Sequence, residues 1–262
     1  FKEMKSELMS DNNNKQPIIN DPQTTNWFES WFDTEYYHIL YKERNDEEAQ
    51  LLMDNLTHYL NLPEESKILD LACGKGRHAI YLNSLGFDVT GADLSENSIA
   101  EASKFTNDKL HFKVHDMREP FEEKYDAIFN LFTSFGYFDD DADNYKTIKA
   151  IHNSLTETGF AVIDFMNVDY VLENLVPNEI KTVDGIDFHI KRYLKDGHIY
   201  KEIDFEDKGK TFHFTEKVQA LRLADFEQMM EEAGIFLLDI FGDYKLRKFY
   251  KTQSERLIMI FK

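Results

Sequence analysis

Three aspartates, Asp70, Asp93 and Asp116, are the residues of this chain best suited to bind a ligand, because each follows or ends a short apolar run. Two glycines, Gly74 and Gly76, come soon after the first of them. Glycine lacks the Cβ atom that would keep the backbone away from a bound molecule, so this pair predicts a tight turn that a ligand can approach. A carboxylate can accept hydrogen bonds from two adjacent hydroxyls at once. The pattern therefore predicts a ligand site with a glycine turn and several acids.

Alternating strands and helices are expected to position these aspartates. Five apolar stretches are predicted strands: residues 67–72, 87–92, 110–115, 125–132 and 159–166. Helical patterns separate them, including residues 76–85, residues 141–155 and a helix that Ser95 caps at its N-terminus. Strands separated by helices indicate parallel pairing through right-handed crossovers. Because open parallel sheets bind ligands at the carboxyl ends of their strands, we expect the three aspartates to line one crevice.

The pattern changes after residue 166. Four runs of alternating or β-branched residues predict an antiparallel insert: residues 179–183, 187–194, 198–205 and 211–220. Turns at Asp184-Gly185 and Asp196-Gly197 separate some of them. A helix at residues 224–233 and strands at 236–241 and 256–261 follow. The last two strands have no crossover helix between them, which predicts an antiparallel hairpin at the sheet edge.

Composition excludes several classes of function. The 262 residues carry a net charge of −19, which disfavours nucleic acid as a partner, since phosphate binding needs a concentrated basic surface. The single cysteine, Cys73, allows no intramolecular disulfide, and we expect it to pack in the turn rather than to act as a nucleophile. No secretory signal pattern and no apolar run of about 20 residues is present, so we expect a cytoplasmic protein without membrane contact.

The order of these features resembles the class I S-adenosylmethionine-dependent methyltransferases. The resemblance rests on Asp70-Leu-Ala-Cys-Gly-Lys-Gly, Asp93, Asp116-Met117 and the terminal hairpin, and it covers residues 67–166 and 224–261. It implies a Rossmann-like α/β fold with a seven-stranded, mostly parallel, doubly wound sheet. It also implies S-adenosyl-L-methionine as cofactor, S-adenosyl-L-homocysteine as product, and in-line methyl transfer to nitrogen or oxygen of a small-molecule acceptor.

The resemblance further implies a division of the chain. Residues 1–60 would form a mobile arm, rich in polar residues from 10 to 26, and an N-terminal helical lid. Residues 61–175 and 221–262 would form the cofactor-binding α/β domain. Residues 176–220, the antiparallel β insert, would serve substrate binding or a homodimer contact, since exposed strand edges pair readily.

By the same resemblance, the glycine turn lies under the methionine part of the cofactor. Gly74 and Gly76 would pass beneath it with Ala72 beside them, and Asp70 would order the turn and approach the amino group. Asp93 would bind both ribose hydroxyls.

The resemblance assigns the remaining contacts to the next strand ends. Leu94 would cover one adenine face, and Asp116 with the Met117 amide would hold the adenine edge. Asn130 and Leu131, at the end of the fourth strand, would border the sulfonium.

The lid is implied to cap the cofactor carboxylate. Tyr37, Tyr41 and Arg44 stand at i, i+4 and i+7 and therefore on one helical face. Tyr37 and Arg44 would cap the carboxylate, and Arg77 at the start of the first helix of the α/β domain would approach it. The alternative is an aromatic stripe that only packs on a sheet.

Two other functions stay open at this level. Gly74-Lys-Gly-Arg-His-Ala79 also fits the dinucleotide motif, with Asp93 near the expected spacing of about 20 residues, which allows an NAD- or FAD-dependent oxidoreductase. The Asp116-Met117 pair and the hairpin have no role in that alternative. A binding protein that holds S-adenosylmethionine without turnover is the other. No residue spacing identifies a catalytic base or a metal site.

Overall fold

The computed structural model of the chain describes residues 18–19, 29–42 and 46–262. Arg44 and most of the predicted arm lie outside the described residues. The strands are β1 (Ile18–Ile19), β2 (Lys67–Leu71), β3 (Asp88–Asp93), β4 (Leu110–Val114), β5 (Tyr125–Asn130), β6 (Leu155–Met166), β7 (Asn178–Val183), β8 (Ile186–Lys195), β9 (His198–Asp207), β10 (Lys210–Gln219), β11 (Leu237–Phe241) and β12 (Arg256–Phe261). The α-helices are α1 (Glu29–Phe32), α2 (Glu35–Leu40), α3 (Asp46–Tyr59), α4 (Arg77–Ser84), α5 (Glu96–Ala102), α6 (Asp141–Asn153), α7 (Val168–Glu173) and α8 (Leu223–Ala233).

A seven-stranded sheet in the order β11-β12-β6-β5-β2-β3-β4 forms the centre of the fold. All neighbouring strands pair in parallel except β12, which is antiparallel to both β6 and β11. The mostly parallel sheet and the terminal antiparallel hairpin predicted from the sequence are therefore confirmed.

Side-chain alternation along each strand divides the core into two layers. In β2, Ile68 packs with α3 and α4, whereas Leu69 and Leu71 pack with α6 and α8. In β12, Ile258 and Ile260 belong to the same layer as Ile68. Leu257, Met259 and Phe261 belong to the layer of Leu69 and Leu71. Strands buried on both faces carry continuous apolar runs, and this explains why these strands can be recognised in the sequence.

A second sheet, in the order β1-β10-β9-β8-β7, is antiparallel except for β1, which pairs parallel to β10. The four predicted runs of the insert correspond to β7 to β10. One face of this sheet packs against α1 and α2 through Trp31, Tyr36 and Leu40. The described helices of the predicted N-terminal lid are thus divided, because α1 and α2 pack on the second sheet and α3 packs on the first.

The predicted end of one strand and the predicted end of one helix are wrong, and each error has a local cause. The strand expected to reach residue 132 ends at Asn130, because Phe132 and Thr133 adopt positive φ angles. The helix expected to reach residue 155 ends at Asn153, since Leu155 already pairs with Tyr125 in the sheet. None of the helices in the described ranges has both the length and the apolar character needed to cross a membrane.

Candidate functional site

A cavity of about 460 Å³ opens at the carboxyl ends of β2 to β5. Residues that follow each of these four strands contribute to its lining, together with residues of α1, α2 and the segment after them. Nine of the residues predicted to bind the cofactor line it: Tyr37, Ala72, Gly74, Arg77, Asp93, Leu94, Asp116, Met117 and Leu131. Asp93 at the end of β3 and Asp116 after β4 therefore meet at one edge of the sheet, whereas Asp70 in β2, also predicted to line the crevice, is not part of the lining.

The glycine turn is held by backbone and carboxylate hydrogen bonds. Asp93 accepts the Gly74 N–H at 2.8 Å through one oxygen and the Ser95 N–H at 2.9 Å through the other. Gly74 has a φ of +53°, and a Cβ built on it would meet no atom within 4 Å. The turn thus presents an open backbone surface beside a carboxylate. The Gly74 amide is thus held by Asp93, whereas Asp70, predicted to order the turn, accepts its hydrogen bond from the Ala79 backbone.

Burial affects the protonation of Asp93. Removal from water raises the pKa of Asp93, the N–H groups of Ser95 and Gly74 oppose this change, and the nearby charge of Asp33 adds to it. The net pKa lies above the ordinary value of an aspartate. A buried carboxylate that already accepts two N–H groups keeps further lone pairs, which suits it to accept hydroxyl groups of a ligand.

Asp70 lies behind the cavity lining rather than in it. Its side chain is 1% exposed and accepts a hydrogen bond from the Ala79 backbone in the first turn of α4. The N-cap of that helix is Gly76, which has no side chain, so Asp70 supplies the missing acceptor. Burial and the charge of Asp93 raise the pKa of Asp70 to about 7, although Ala79 and Arg77 oppose this. One buried oxygen, Oδ2, has no hydrogen-bond partner among the described residues.

Gly76 and Asn130 also lie outside the cavity lining. Both were predicted to contact the ligand, but in the structure they support the residues that line the cavity. A Cβ on Gly76 would lie 2.5 Å from the Phe112 ring, so glycine here permits packing of α4 on the sheet. Asn130 is fully buried, and its Nδ2 donates to the Leu71 carbonyl at 3.1 Å. Both residues fix the strand ends from which the lining residues project.

Cys73 is a packing residue. Burial leaves it 7% exposed and raises the pKa of its thiol well above the usual range, with the charges of Asp70 and Asp93 adding to the rise. A Cβ on Gly91 would lie 3.0 Å from its Sγ atom, so the thiol fills the space between β2 and β3. A thiol kept protonated is a poor nucleophile.

Asp116 is held by an arginine that the sequence reasoning did not identify. The Arg118 guanidinium donates to both carboxylate oxygens, with distances of 2.6 to 3.1 Å, and reaches Asp143 at 2.9 Å. Burial raises the pKa of Asp116, but the hydrogen bonds and charge of Arg118 outweigh it, so the pKa lies below the ordinary value. In the sequence, this pair could have been found from the opposite charges of Asp116 and Arg118, which are two residues apart.

The lid side of the cavity is attached to the second sheet. Glu216 in β10 accepts hydrogen bonds from Trp31 Nε1 at 2.8 Å and from the Tyr41 hydroxyl at 2.6 Å. Both donors lie in or just after the short helices α1 and α2. Arg77, at the start of α4, pairs with Asp46 at 2.7 Å. Glu216 lies 175 residues or more from its partners, so no sequence pattern pointed to it.

The loop after β5 is a strained part of the cavity lining. Phe132 and Thr133 have φ angles of 59° and 60°, a conformation that side chains other than glycine seldom adopt. A buried ion pair holds them: Asp164 accepts the Phe132 N–H at 2.8 Å, and Arg256 donates to Asp164 at 2.8 Å and to the Thr133 hydroxyl at 2.9 Å. Strain of this kind persists only where surrounding contacts enforce it, and it concentrates at functional sites.

Comparisons with known proteins agree with this geometry. A family described as "Methyltransferase domain" matches residues 68–159. The glycine/sarcosine N-methyltransferase of Halorhodospira halochloris is 26% identical over 189 residues, which is 69% of each chain. The crystal structure of an S-adenosylmethionine-dependent methyltransferase from Clostridium acetobutylicum ATCC 824 has a TM-score of 0.73 at 23% identity, covering 87% of this chain and 95% of that one. The S-adenosylmethionine-bound amino pentose methyltransferase CalS10 from Micromonospora echinaspora has a TM-score of 0.66 at 17% identity, covering 87% and 96%.

The matching domain, the curated relatives and the solved structures support a class I S-adenosylmethionine-dependent methyltransferase, as the resemblance implied. The cofactor is therefore S-adenosyl-L-methionine. Neither of the alternatives, a dinucleotide-dependent oxidoreductase or a binding protein without turnover, agrees with this assignment.

Proposed function

We propose that this enzyme transfers a methyl group to a nitrogen atom of a small-molecule amine inside the cavity. The observation that carries the proposal is one cavity of about 460 Å³ that joins the Gly74 turn to a compartment lined by aromatic side chains. A mostly apolar cavity of this size with a few polar groups suits a metabolite better than a macromolecule. The relative named above as a glycine/sarcosine N-methyltransferase favours nitrogen over oxygen as the acceptor atom.

The cofactor fits the observed donors and acceptors at the floor of the cavity. Under the proposal, Asp93 accepts the ribose hydroxyls and the open backbone at Gly74 lies against the methionine part. Leu94 and Met117 contact the adenine, and Asp116 accepts from its edge.

At the other end of the cofactor, Leu131 borders the sulfonium, and Tyr37 and Arg77 lie toward the carboxylate. Arg44 keeps its predicted role on the same carboxylate.

The protein's contribution to the reaction is alignment and exclusion of water. S-adenosylmethionine supplies a methyl group that its sulfonium already activates. The strained loop at Phe132 and Thr133 fixes the acceptor side, while α1 and α2 cover the cavity from the lid side. Holding the reacting atoms in line replaces a bimolecular encounter and can lower the barrier by about 7–11 kcal/mol. No side chain needs to form a covalent bond.

The test begins with calorimetry using S-adenosylmethionine and S-adenosylhomocysteine. The release of S-adenosylhomocysteine is then measured with glycine, sarcosine, dimethylglycine and glucosamine, each compared with a hydroxyl analogue such as glycolate. We expect binding of both nucleosides and turnover with an amine but not with its hydroxyl counterpart. Turnover only with hydroxyl compounds would contradict nitrogen as the acceptor, and turnover only with a protein or RNA would contradict a small-molecule acceptor.

The homodimer and the cytoplasmic location remain predictions. The outer strand of the second sheet, β7, leaves Ile180 63% exposed at a sheet edge, and such edges pair readily. Light scattering coupled to gel filtration measures the mass directly: twice the 30.9 kDa of this chain would support the dimer, and 30.9 kDa would contradict it.

A further inference from the structure

A continuous run of aromatic rings crosses the cavity from the lid to the loop after β5. The ring centroids of Tyr41 and Tyr37 lie 4.8 Å apart, those of Tyr37 and Phe32 lie 5.0 Å apart, and those of Phe32 and Tyr137 lie 5.5 Å apart. All four residues line the cavity. We call this set, Tyr41, Tyr37, Phe32 and Tyr137, the aromatic wall. It joins two elements of the cavity lining that are remote in sequence.

Two cations of the chain lie near the ends of this wall. Lys201 donates a hydrogen bond to the Tyr41 hydroxyl, and its Nζ lies 4.4 Å from the centroid of that ring. The Arg118 guanidinium lies 5.0 Å from the ring of Phe138, which follows Tyr137 and also lines the cavity. The face of an aromatic ring attracts a cation through its negative quadrupole. The aromatic lining beside the wall therefore already holds one cation of the chain.

The cavity is also rich in carboxylates. Asp33, Asp93 and Asp116 line it, and the whole chain carries a net charge of −19. The lining also holds three cations, Lys42, Lys75 and Arg77, of which Lys42 and Arg77 pair with Asp184 and Asp46 respectively. Asp33 and Asp93 accept hydrogen bonds from uncharged donors, so their negative charge favours a cationic ligand over an anionic one.

We infer that the aromatic wall binds the ammonium charge that the acceptor nitrogen acquires, so that the ligands of this compartment are N-methylated alkylamines. The inference rests on the proposed function. The nitrogen lone pair forms the new N–C bond, while the electron pair of the broken C–S bond goes to sulfur. The positive charge leaves the sulfur and appears on the nitrogen, and the ammonium releases its proton to water afterwards. Rings that favour a cation therefore stabilise the transition state more than the neutral amine.

A pair of probes that differ only in charge tests this inference. Choline and 3,3-dimethylbutan-1-ol have the same shape, but only choline carries a quaternary ammonium. Each is titrated by calorimetry into the full chain saturated with S-adenosylhomocysteine. We expect choline to bind about tenfold more tightly than the neutral alcohol, as a desolvated cation–π contact allows.

Variants locate the preference on the wall. Phe32→Leu and Tyr137→Leu should each reduce the choline preference to about threefold or less, because leucine has no ring quadrupole. Tyr137→Phe keeps the ring and should keep the preference. Phe236→Leu, at a position 71% exposed beside β11, is the control and should change neither affinity. Circular dichroism verifies that each variant is folded.

The outcomes separate this inference from the proposed function. If S-adenosylhomocysteine binds but the two probes bind equally, or choline does not bind, the inference is wrong while the cofactor site stands. A choline preference that survives in both leucine variants also overturns it. If S-adenosylhomocysteine itself does not bind, the proposed function fails, and the inference fails with it.

Discussion

The floor and the lid side of the cavity are built by different means. On the floor, the Gly74 amide donates to the Asp93 side chain 19 residues away, and these residues follow or end the adjacent parallel strands β2 and β3. On the lid side, Trp31 and Glu216 are 185 residues apart, and in the loop after β5, Thr133 and Arg256 are 123 residues apart. The floor is thus encoded in a short stretch, whereas the lid side and the loop depend on distant side chains.

This difference separates two tasks. On the floor, the turn is held by the Gly74 backbone and the Asp93 carboxylate, so the other side chains of the strand–turn–helix segment can vary as long as its geometry is kept. The lid side changes with individual side chains on β10, β12 and α1. Substitutions on the two sides should therefore affect different measured quantities: affinity for the cofactor on the floor, and stability or ligand exchange around the lid and the loop.

The largest effect is expected at the buried ion pair below the acceptor loop. Arg256→Met leaves the fully buried Asp164 carboxylate without its cation, which should lower the free energy of unfolding by about 3–5 kcal/mol. Urea denaturation measures this. Arg247→Met is the control, because its pair with Asp243 is largely exposed on the arginine side and should contribute less than about 1 kcal/mol. Equal losses in the two variants would show that the buried pair has no special role.

On the floor, Gly74→Val should weaken binding of S-adenosylhomocysteine by about 100-fold or more, equivalent to about 2.8 kcal/mol. The new side chain would project from the turn into the cavity lining and would also strain the positive φ of +53°.

Gly185→Val is the matched control for this prediction. Gly185 has a positive φ of +80° and open space around its Cβ position, but it lies in the β7–β8 turn outside the cavity lining. Calorimetry should show unchanged affinity there. A similar loss in both variants would attribute the effect to backbone strain instead of blockage.

Asp93→Ala should weaken the affinity for S-adenosylhomocysteine by about 1–3 kcal/mol, because the Gly74 and Ser95 amides and the ligand hydroxyls lose their acceptor. Asp88→Ala, at the other end of β3, is the control and should leave affinity unchanged. Unaltered affinity in Asp93→Ala would remove this carboxylate from the site.

The smallest effect is expected at the lid attachment. Glu216→Leu removes the acceptor of Trp31 and Tyr41, which should loosen α1 and α2 and speed dissociation of S-adenosylhomocysteine about fivefold, or about 1 kcal/mol. Stopped-flow displacement measures the rate. Glu216→Gln keeps the Oε1 acceptor and should resemble the parent protein. If Glu216→Leu does as well, the attachment has no part in ligand exchange.

Much of the fold could be predicted because it depends on local periodicity. The strands at Ile68, Val89 and Ile128 are buried on both faces, so each appears as an apolar run followed by turn residues. Parallel strands place their carboxyl ends at one edge of the sheet, and this brings the acids near those ends together. The antiparallel insert could be recognised from its runs of alternating apolar and polar residues and from turns such as Asp184-Gly185.

Predictions about which residues face the cavity were less successful. Asp70, Gly76 and Asn130 belong to the right motifs but lie behind the lining, while Arg118 and Glu216 were missed. A motif specifies which segment approaches a ligand. The direction of each side chain depends on neighbours such as Phe112, which occupies the space that a Cβ on Gly76 would need.

The sequence by itself determined the order of strands and helices and the glycine turn, because these follow from residues close along the chain, and the resemblance of these motifs to a known family implied the class of cofactor. Only the tertiary structure decided that Asp93 holds the turn, that Asp164 and Arg256 enforce the strained loop, and that α1 and α2 pack on the second sheet. Asp164 and Arg256 are 92 residues apart and Trp31 and Glu216 are 185 apart, while the contact of Asp93 with Gly74 depends on which way the side chain turns, and packing geometry selects each of them.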